Sequence, residues 1–347
     1  MVTALSELMK RGHRVGLVCR PDAKIISHAR GKNIEVITLK FRGDLDPLSI
    51  YQMTRILRKR NINIILTNTY KELRICGFAA KLIKVPPLVI SRQGIDYPLK
   101  NKLHYRFFYN VLTRSIVANS EATKKTLLLN APWLDPDKIK VIYNGIDPEL
   151  FDSKSTKSIK GSLGIEEESI LIGFIGRLNV QKGIKYLIDA FKLVTDDFKN
   201  VHLIIAGTGD LENTIKTAAK NYELTDKIHL LGFRKDVQNI INGIDMLVLP
   251  SLWEGFGIVL IEAMAAGKPC IASNISSMPE IVVHNKTGYV IPPKDTENLA
   301  KAIINLIQNP SLAKKMGGEG RKLTQKKFSL QKMIDQYEQL FYENIKS

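Results

Sequence analysis

The chain alternates throughout between short apolar runs and longer stretches in which apolar residues recur every three or four positions. Near-continuous apolar runs are typical of buried parallel strands, and a repeat of about 3.6 residues indicates amphipathic helices. Strands that alternate with helices in this way predict parallel sheets covered by helices on both faces. The expected fold class is therefore α/β, built from doubly wound, Rossmann-like domains.

The predicted elements follow the same alternation in both halves of the chain. In the first half, the predicted strands are RVGLVC, IEVITL, NIILTN, PLVISR, SIVANS and IKVIYN, and the predicted helices cover 47–60, 71–83, 103–113 and 121–130. In the second half, the predicted strands are ILIGFIG, VHLIIAG, IHLLG, DMLVLP, PCIAS and GYVIPP, and the predicted helices lie near 183–195, 210–221, 236–242, 257–266 and 295–308. Two further helices, near 310–327 and 330–345, complete the chain.

A chain of 347 residues is longer than one hydrophobic core usually supports, so two domains are expected. The boundary is predicted in DPELFDSKSTKSIKGSLGIEEES, a polar segment rich in Ser and Lys. We predict a first domain over 1–152, a second over 153–327, and a final helix over 328–347 that packs back on the first domain. Ligands of doubly wound sheets bind at the carboxyl ends of the strands, so we expect the two domains to face each other across a cleft.

The start of the chain departs from this pattern. It opens on a helix with one apolar face, formed by Ala4, Leu5, Leu8 and Met9 and ended by Gly12. A doubly wound domain is expected to begin with a strand and a glycine-rich turn. The prediction is therefore that the first strand is missing from the sequence as it stands.

Several features predict a cytoplasmic location. The opening MVTALSELMK lacks the basic start and long apolar core of a secretory signal. The longest apolar runs fall short of the roughly 18 residues that span a bilayer. Cys19, Cys76 and Cys270 have no metal-ligand spacing and make an odd number, which suits a reducing compartment.

The positive charge is concentrated in the first half. Residues 1–150 hold 26 Lys and Arg against 12 Asp and Glu, whereas residues 151–347 hold 25 against 22. A basic domain attracts an anionic surface, either a phosphate-rich membrane or nucleic acid. No zinc-finger spacing, aromatic RNA-binding signature or basic heptad helix is present, so a membrane is favoured over nucleic acid. A merely solvated basic surface is the alternative.

The segment WEGFGIVLIEAMAAGKP, residues 253–269, holds two carboxylates that need an explanation. A largely buried helix is predicted to begin near Gly257, and Glu262 lies inside it, where an unpaired carboxylate is costly. Its partner is either a protein cation or the hydroxyl groups of a ligand. Gly255 and Gly257 allow close backbone approach beside a helix N-terminus, which favours a ligand next to Glu254.

Two cations follow the first strand of the second domain in FIGRLNVQKG. Arg177 and Lys182 lie in a loop bracketed by Gly176 and Gly183, beyond the carboxyl end of that strand. A guanidinium fork and an ammonium point charge suit a diphosphate. The alternative is a pair of exposed surface cations.

The next two strand ends offer further contacts to a nucleotide. IIAGTGDLE places Gly207 and Thr208 after a strand, but Glu212 stands where the dinucleotide fingerprint needs its third glycine, so the segment is weak as a sign of NAD. LLGFRKDV places Arg234 after the following strand, where an ordinary turn is an equal alternative. The triplets Asp44–Asp46 and Asp135–Asp137 precede turns or helix starts, so capping is expected of them rather than a metal.

Taken together, these motifs resemble glycosyltransferase family 4, the retaining nucleotide-sugar glycosyltransferases of GT-B fold. The resemblance is carried by GRLNVQKG, AGTGDLE, LLGF, TGYVIPP, VIYNGID, and VLPSLWEGFGIVLIEAMAAGKPCIAS with its two glutamates eight positions apart. It covers the second half in order along its length, and it covers the first half more loosely, through LMKRGHRV, IVANSEATKKTL and NGID.

The resemblance implies a role for each matching residue. Arg177 and Lys182 would hold the donor diphosphate, and Glu254 would bind the donor sugar. Glu262 would hold the ribose hydroxyls. The other donor-side residues implied are Gly176, Gly207, Thr208, Arg234, Gly255, Phe256, Gly257 and Ile258.

Two departures from the family pattern concern the first domain. Members usually begin with a strand and a Gly-Gly turn, and many carry a His after the strand that corresponds to PLVIS, where this chain has SRQGID. Arg92 would either replace that histidine's contact with the sugar or phosphate or serve acceptor binding, and Asp96 is the other residue implied on the acceptor side.

The implied reaction moves a hexose-like sugar from a nucleoside diphosphate to an acceptor hydroxyl with retention, without a metal or a cofactor. No protein nucleophile is evident, so front-face attack is favoured. The implied acceptor is a lipid-linked, lipopolysaccharide or capsule-type glycan, reached by peripheral binding at the inner face of a bacterial plasma membrane. The alternatives are a non-catalytic or truncated binding protein of the same fold and a sugar-nucleotide epimerase.

Overall fold

The computed structural model describes residues 2–43, 45–94, 99, 101–151 and 159–346. They divide into two compact units, Met1–Tyr143 with Leu330–Ser347, and Asn144–Ser329. Each unit is built from parallel strands and helices, which confirms the predicted α/β class. The predicted boundary between 152 and 153 lies later than the division at Tyr143, because the turn of 3₁₀ helix Pro148–Phe151 packs against the second unit's helix Ile258–Ala265.

The described residues of the first unit form six strands and the helices around them. The strands are β1 (Gly16–Cys19), β2 (Glu35–Thr38), β3 (Ile64–Thr67), β4 (Leu88–Gln93), β5 (Ser115–Ala118) and β6 (Ile139–Val141). The helices before the unit boundary are α1 (Val2–Lys10), α2 (Ile25–Arg30), α3 (Pro47–Arg60), α4 (Tyr70–Lys81), α5 (Leu103–Leu112) and α6 (Glu121–Asn130).

The strands of this unit form two parallel sheets, one with the order β1-β2 and one with the order β3-β4-β5-β6. In the larger sheet, Val89, Ile116 and Ile139 pack in one core with the fully buried Tyr109 of α5. On another side its strands contribute Ile90 and Val117 to a core shared with the chain's last helix, which contributes Ile334 and Tyr337. The end of the chain therefore belongs to the first unit.

The second unit is a six-stranded sheet with helices α7 to α14. Its strands are β7 (Ile170–Ile175), β8 (Val201–Ala206), β9 (Ile228–Gly232), β10 (Met246–Leu249), β11 (Cys270–Ser273) and β12 (Gly288–Ile291). Its helices are α7 (Ile159–Ser162), α8 (Ile184–Asp197), α9 (Glu212–Asn221), α10 (Val237–Gly243), α11 (Ile258–Ala265), α12 (Met278–Ile281), α13 (Thr296–Gln308) and α14 (Pro310–Lys327). The last helix of the chain, α15, covers Leu330–Lys346.

The order of the second sheet is β12-β11-β10-β7-β8-β9, and every pair is parallel. The first three strands of the unit run outward from β7 in one direction and the last three in the other. The order thus reverses between β7 and β10, and in open α/β sheets a ligand binds outside the carboxyl ends of the strands at such a point. No helix in the described part of the chain is both long and apolar enough to cross a membrane.

Candidate functional site

The residues predicted on the donor side gather at one edge of the second sheet. Gly176 follows β7, Gly207 and Thr208 follow β8, Arg234 follows β9, and the segment from Glu254 to Gly257 follows β10. Because all of these strands are parallel, their carboxyl ends meet at the same edge. The fold therefore brings four separate sequence motifs together, around the point where the strand order reverses.

The loops after β7 and β8 lie against each other with no space for a side chain. The amide of Leu178 donates to the carbonyl of Thr208 at 3.0 Å. Gly207 has φ +145°, and a Cβ built on it would lie 1.8 Å from the carbonyl oxygen of Gly176. Only glycine fits this contact. The loop that holds Arg177 and Lys182 is thus fixed by the backbone of the neighbouring loop.

Lys182 and Glu254 form an ion pair between the Nζ and Oε2 atoms. Both side chains are largely buried, with 15% and 11% exposed respectively. Glu254 also accepts hydrogen bonds from the hydroxyl of Ser251 at 3.3 Å and from the amide of Gly255 at 3.2 Å. The loops on both sides are joined as well, since the amide of Leu252 donates to the carbonyl of Gln181 at 2.7 Å.

The turn after Glu254 leads directly into α11. Gly257 is in the left-handed region, with φ +80°, and it is the residue that precedes the first turn of the helix. Phe256 is buried and packs edge-on against Phe328, with ring centroids 6.1 Å apart. Ile258 is exposed beside it. The amide of Leu260 donates to the carbonyl of Gly257 at 2.9 Å, and the two amides before it, those of Ile258 and Val259, have no acceptor within the helix. This end therefore presents donors and a positive partial charge.

Glu262 lies one turn into α11, and its carboxylate has neither an ion pair nor a hydrogen bond with any residue that the structure describes. Burial alone raises the pKa of Glu262 to about 7. A protein cation was one of the two expected partners, and none is present within the described ranges. The second expected partner, a ligand's hydroxyl groups, is the one that the geometry leaves open.

The two arginines of the donor side have different surroundings. Arg177 is exposed and forms no ion pair with a described residue. Arg234 makes two hydrogen bonds to the carboxylate of Asp236, from Nε at 2.7 Å and from Nη2 at 2.6 Å. This pairing with Arg234 lowers the pKa of Asp236 to about 2. Arg177 is therefore open to an anion, whereas Arg234 is held in place by its own neighbour.

Sequence reasoning did not foresee two of these pairings. Lys182 and Glu254 are far apart in the chain and only the fold brings them together, so no local pattern predicts their ion pair. The Arg234–Asp236 pair did have a local signal, because an acidic residue two positions after an arginine at a strand end can reach back to it. Two exposed aromatic side chains, Phe233 and Trp253, also border this edge.

The residues predicted on the acceptor side belong to the first unit. Arg92 lies near the carboxyl end of β4, where Nη1 donates to Oδ1 of Asn68 at 3.4 Å. Its guanidinium lies close enough to the hydroxyl of Tyr337 of α15 to oppose the rise in the pKa of that tyrosine that burial causes. Asp96 lies outside the described residues.

The Asp triplets behave as expected where they are described. The carboxylate of Asp46 accepts from the amides of Leu48 and Ser49 and caps α3. Asp135 accepts from the amide of Asp137 and caps a turn of 3₁₀ helix. The capping prediction is confirmed for both residues, and Asp44 lies outside the described residues.

Two family models match this chain. Residues 1–150 match the family model described as Glycosyltransferase Family 4, and residues 155–323 match the model described as Glycosyl transferases group 1. The UDP-Gal:alpha-D-GlcNAc-diphosphoundecaprenol alpha-1,3-galactosyltransferase of Escherichia coli is 29% identical over 86% of this chain and 80% of its own length. The N-acetyl-alpha-D-glucosaminyl L-malate synthase of Bacillus anthracis is 27% identical over 84% of this chain and 77% of its own length.

Solved structures share the fold. A glycosyltransferase from Rickettsia africae superposes with a TM-score of 0.89 at 22% identity, over 100% of this chain and 94% of that one. Alr3699/HepE of Anabaena, in complex with UDP, superposes with a TM-score of 0.87 at 21% identity, over 99% of this chain and 96% of that one. At these identities the likeness shows the fold, which is the two-domain α/β architecture named GT-B.

Proposed function

Because the chain belongs to glycosyltransferase family 4, we propose that it transfers a sugar from a nucleoside diphosphate sugar to an acceptor hydroxyl, with retention at the anomeric carbon. The observation that carries the proposal is the carboxylate of Glu262. It is partly buried, it has no ion pair or hydrogen bond with a described residue, and it lies one turn into the helix that begins at the reversal point of the sheet. A pair of ribose hydroxyls supplies the donors that such a carboxylate lacks.

The donor diphosphate is proposed to lie between Arg177 and the start of α11. Arg177 is exposed and offers a guanidinium fork, while the first-turn amides of α11 offer donors and a positive partial charge. The ammonium of Lys182 has three donors, so its ion pair with Glu254 leaves two for phosphate oxygens. Gly176 and Gly207 let the phosphates approach the backbone closely.

The donor sugar is proposed to lie beside Glu254. Oε2 of Glu254 already accepts from Lys182 and Ser251, and Oε1 accepts from the amide of Gly255, so one lone pair of Oε1 remains to accept from a sugar hydroxyl. The amides of Phe256 and Gly257 are the neighbouring donors. On the side of the base, the strand ends at Thr208 and Arg234 and the exposed side chain of Ile258 complete the proposed donor site.

We propose front-face substitution as the chemical step. The bond between the anomeric carbon and the diphosphate oxygen breaks, the acceptor oxygen bonds to the same face, and the leaving phosphate takes the acceptor proton. Charge then develops on the diphosphate, where Arg177, Lys182 and the start of α11 stabilise it. Losing one such preorganised contact costs about 3 kcal/mol, or roughly a hundredfold in rate. The step as proposed uses neither a metal nor a cofactor.

The proposed acceptor is a lipid-linked, lipopolysaccharide or capsule-type glycan at the inner face of the plasma membrane, with Arg92 on the acceptor side. Residues 1–150 hold 26 Lys and Arg but only 12 Asp and Glu, and this positive charge supports an anionic membrane partner. The E. coli relative is named for a diphosphoundecaprenol acceptor, and a relative in Staphylococcus aureus is named for capsular polysaccharide biosynthesis. Nucleic acid is not proposed as a partner.

A binding panel tests the donor site directly. The thermal stability of the full chain is measured with UDP-, GDP- and ADP-sugars at one concentration, since the ligand that binds most tightly raises stability most. We expect one base to be preferred and the shift to be lost in Glu262→Ala. A transfer assay with that donor, read by the anomeric proton coupling of the product, then tests retention. If no nucleotide sugar shifts the melting temperature, or if Glu262→Ala binds as well as wild type, the proposed site is wrong.

A further inference from the structure

One face of α5 in the first unit is apolar and uncovered. The helix buries Phe108, Tyr109 and Leu112 against the sheet and its neighbours. On the opposite side, Leu103 is 83% exposed and Phe107 is 50% exposed. Val111, four positions further along, is exposed too. This spacing places the three apolar side chains in one stripe along the outside of the helix.

The segment between α4 and β4 exposes apolar side chains as well. Leu82 is 56% exposed and Val85 is 80% exposed. A groove joins the segment to α5, because Lys81 and Pro86 line it together with Val111. The exposed apolar side chains of α5 and of this neighbouring segment are together called the α5 surface below: Leu82, Val85, Leu103, Phe107 and Val111.

Positive charges predominate around the α5 surface. Residues 73–120 hold eight Lys and Arg and a single acidic residue, and α5 itself has no acidic residue. The exposed cations next to the apolar side chains are Lys81, Lys84, Lys102, Arg106 and Arg114. The far wall of the groove carries charges of both signs, namely Asp135, Asp137, Lys138, Lys140 and Glu343.

We propose that the α5 surface binds an anionic lipid bilayer, with its apolar side chains at the boundary between headgroups and acyl chains. This inference rests on the proposed function, because it names the surface that carries the enzyme to a lipid-borne acceptor. Apolar residues flanked by Lys and Arg are the composition of interfacial helices, and each cation near an anionic surface adds about fivefold to binding. Lys84 and Lys102 can reach headgroup phosphates while Val85 and Leu103 insert.

A second copy of the chain is the less suitable occupant of this surface. In a two-fold dimer the same patch faces itself, so the cations around Leu103 and Phe107 would oppose their own copies. Like charges brought together in this way repel. A bilayer with acidic lipids supplies the opposite charge as well as an apolar layer, so charge complementarity selects the bilayer.

Sedimentation of the full chain with vesicles tests the proposal. Wild type, Leu103→Ser/Arg106→Gln and a matched control are mixed at low salt with vesicles of phosphatidylcholine, with and without phosphatidylglycerol. The control is Leu129→Ser/Lys125→Gln on α6, which removes an equally exposed Leu and an exposed Lys from the same unit. We expect wild type to bind the anionic vesicles, the α5 variant to bind at least about tenfold more weakly, and the control to stay within about twofold of wild type.

Two results would overturn the proposal. One is that both double variants bind anionic vesicles equally, and the other is that wild type does not bind them at all. If the α5 variant instead changes the oligomeric state in sedimentation velocity while vesicle binding persists, the surface joins copies of the chain. The panel of UDP-, GDP- and ADP-sugars is run on all three proteins. Nucleotide binding without vesicle binding refutes the surface alone, and vesicle binding without nucleotide binding refutes the proposed function alone.

Discussion

Lys182 is bound by ion pairing to Glu254, the first of the two glutamates in the motif, while the second, Glu262, has no cation partner in the described part of the chain. The first carboxylate is therefore fixed before any ligand arrives. For Glu262, no described cation offsets the free energy that burial of its charged form costs. Glu254 thus faces a positive charge and Glu262 does not, although both belong to one turn-and-helix segment. We therefore expect substitutions at the two sites to have different effects.

Substitution of Lys182 by Met should destabilise the second unit. It leaves the buried carboxylate of Glu254 without its cation, and breaking a buried ion pair in this way costs about 3–5 kcal/mol. The measurement is chemical denaturation. Arg177→Met is the matched control in the same loop, because Arg177 is exposed and has no ion pair with a described residue. It should change stability by less than about 0.5 kcal/mol and still weaken donor binding. Equal losses of stability in both variants would contradict the buried pair.

Glu262→Gln should stabilise the protein above pH 7 and lose this advantage in acid. The folded pKa of Glu262 is raised to about 7 from an ordinary value of 4.5, so the folded state holds the proton more tightly. Ionisation of Glu262 lowers the free energy of unfolding by about 3 kcal/mol above pH 7, and this loss becomes smaller as the pH falls towards 4.5. Denaturation at about pH 8 and about pH 5 measures the difference. Glu297→Gln, on an exposed side chain, should show no such pH dependence.

Much of the second unit could be predicted from the sequence, because its signals are local. Near-continuous apolar runs such as ILIGFIG mark buried parallel strands, and each was found as a strand. The helix that begins after Gly257 was predicted from the glycine and the apolar run that follows it. Short helices without an apolar period gave no such signal: α2 (Ile25–Arg30), α7 (Ile159–Ser162) and α12 (Met278–Ile281) were not predicted.

The partners of the site residues were harder to predict than their positions. A buried glutamate was expected to need a partner, but the sequence left open which kind. The fold gave Glu254 a lysine 72 positions away and gave Glu262 no partner among the described residues. Pairings of this kind depend on which loops the strand order brings together, and strand order is set by the whole sheet rather than by any one segment.

Gly207→Ala should be strongly destabilising. The new Cβ would meet the carbonyl oxygen of Gly176 at 1.8 Å, and its φ of +145° is one that side chains rarely adopt. Either the loop after β7 moves or the backbone of Gly207 changes, so we expect a loss of at least about 2 kcal/mol together with a loss of nucleotide binding. Gly318→Ala is the control. Gly318 lies in α14 with open space around it, and alanine there should stabilise by about 0.5–1 kcal/mol.

The histidine pair of β8 and β9 should make the second unit sensitive to acid. Nδ1 of His202 lies 3.1 Å from Nε2 of His229 on the neighbouring strand. Burial lowers the pKa of His202, with Lys227 adding to the effect, and burial followed by the charge of His202 lowers the pKa of His229. Asp226 opposes both shifts without reversing them. Protonation of the pair is thus disfavoured in the folded state.

A histidine whose folded pKa is depressed binds fewer protons folded than unfolded, so its stabilising contribution is lost as the pH falls below about 6.5. We expect the stability difference between about pH 7.5 and about pH 5 to be smaller in His202→Gln/His229→Gln than in wild type. Glu262 acts in the opposite direction over part of this range, but it is unchanged in both proteins and cancels in the comparison. His28→Gln, on an exposed helix of the other unit, should match wild type. If the double variant loses as much stability in acid as wild type does, the pair does not carry the effect.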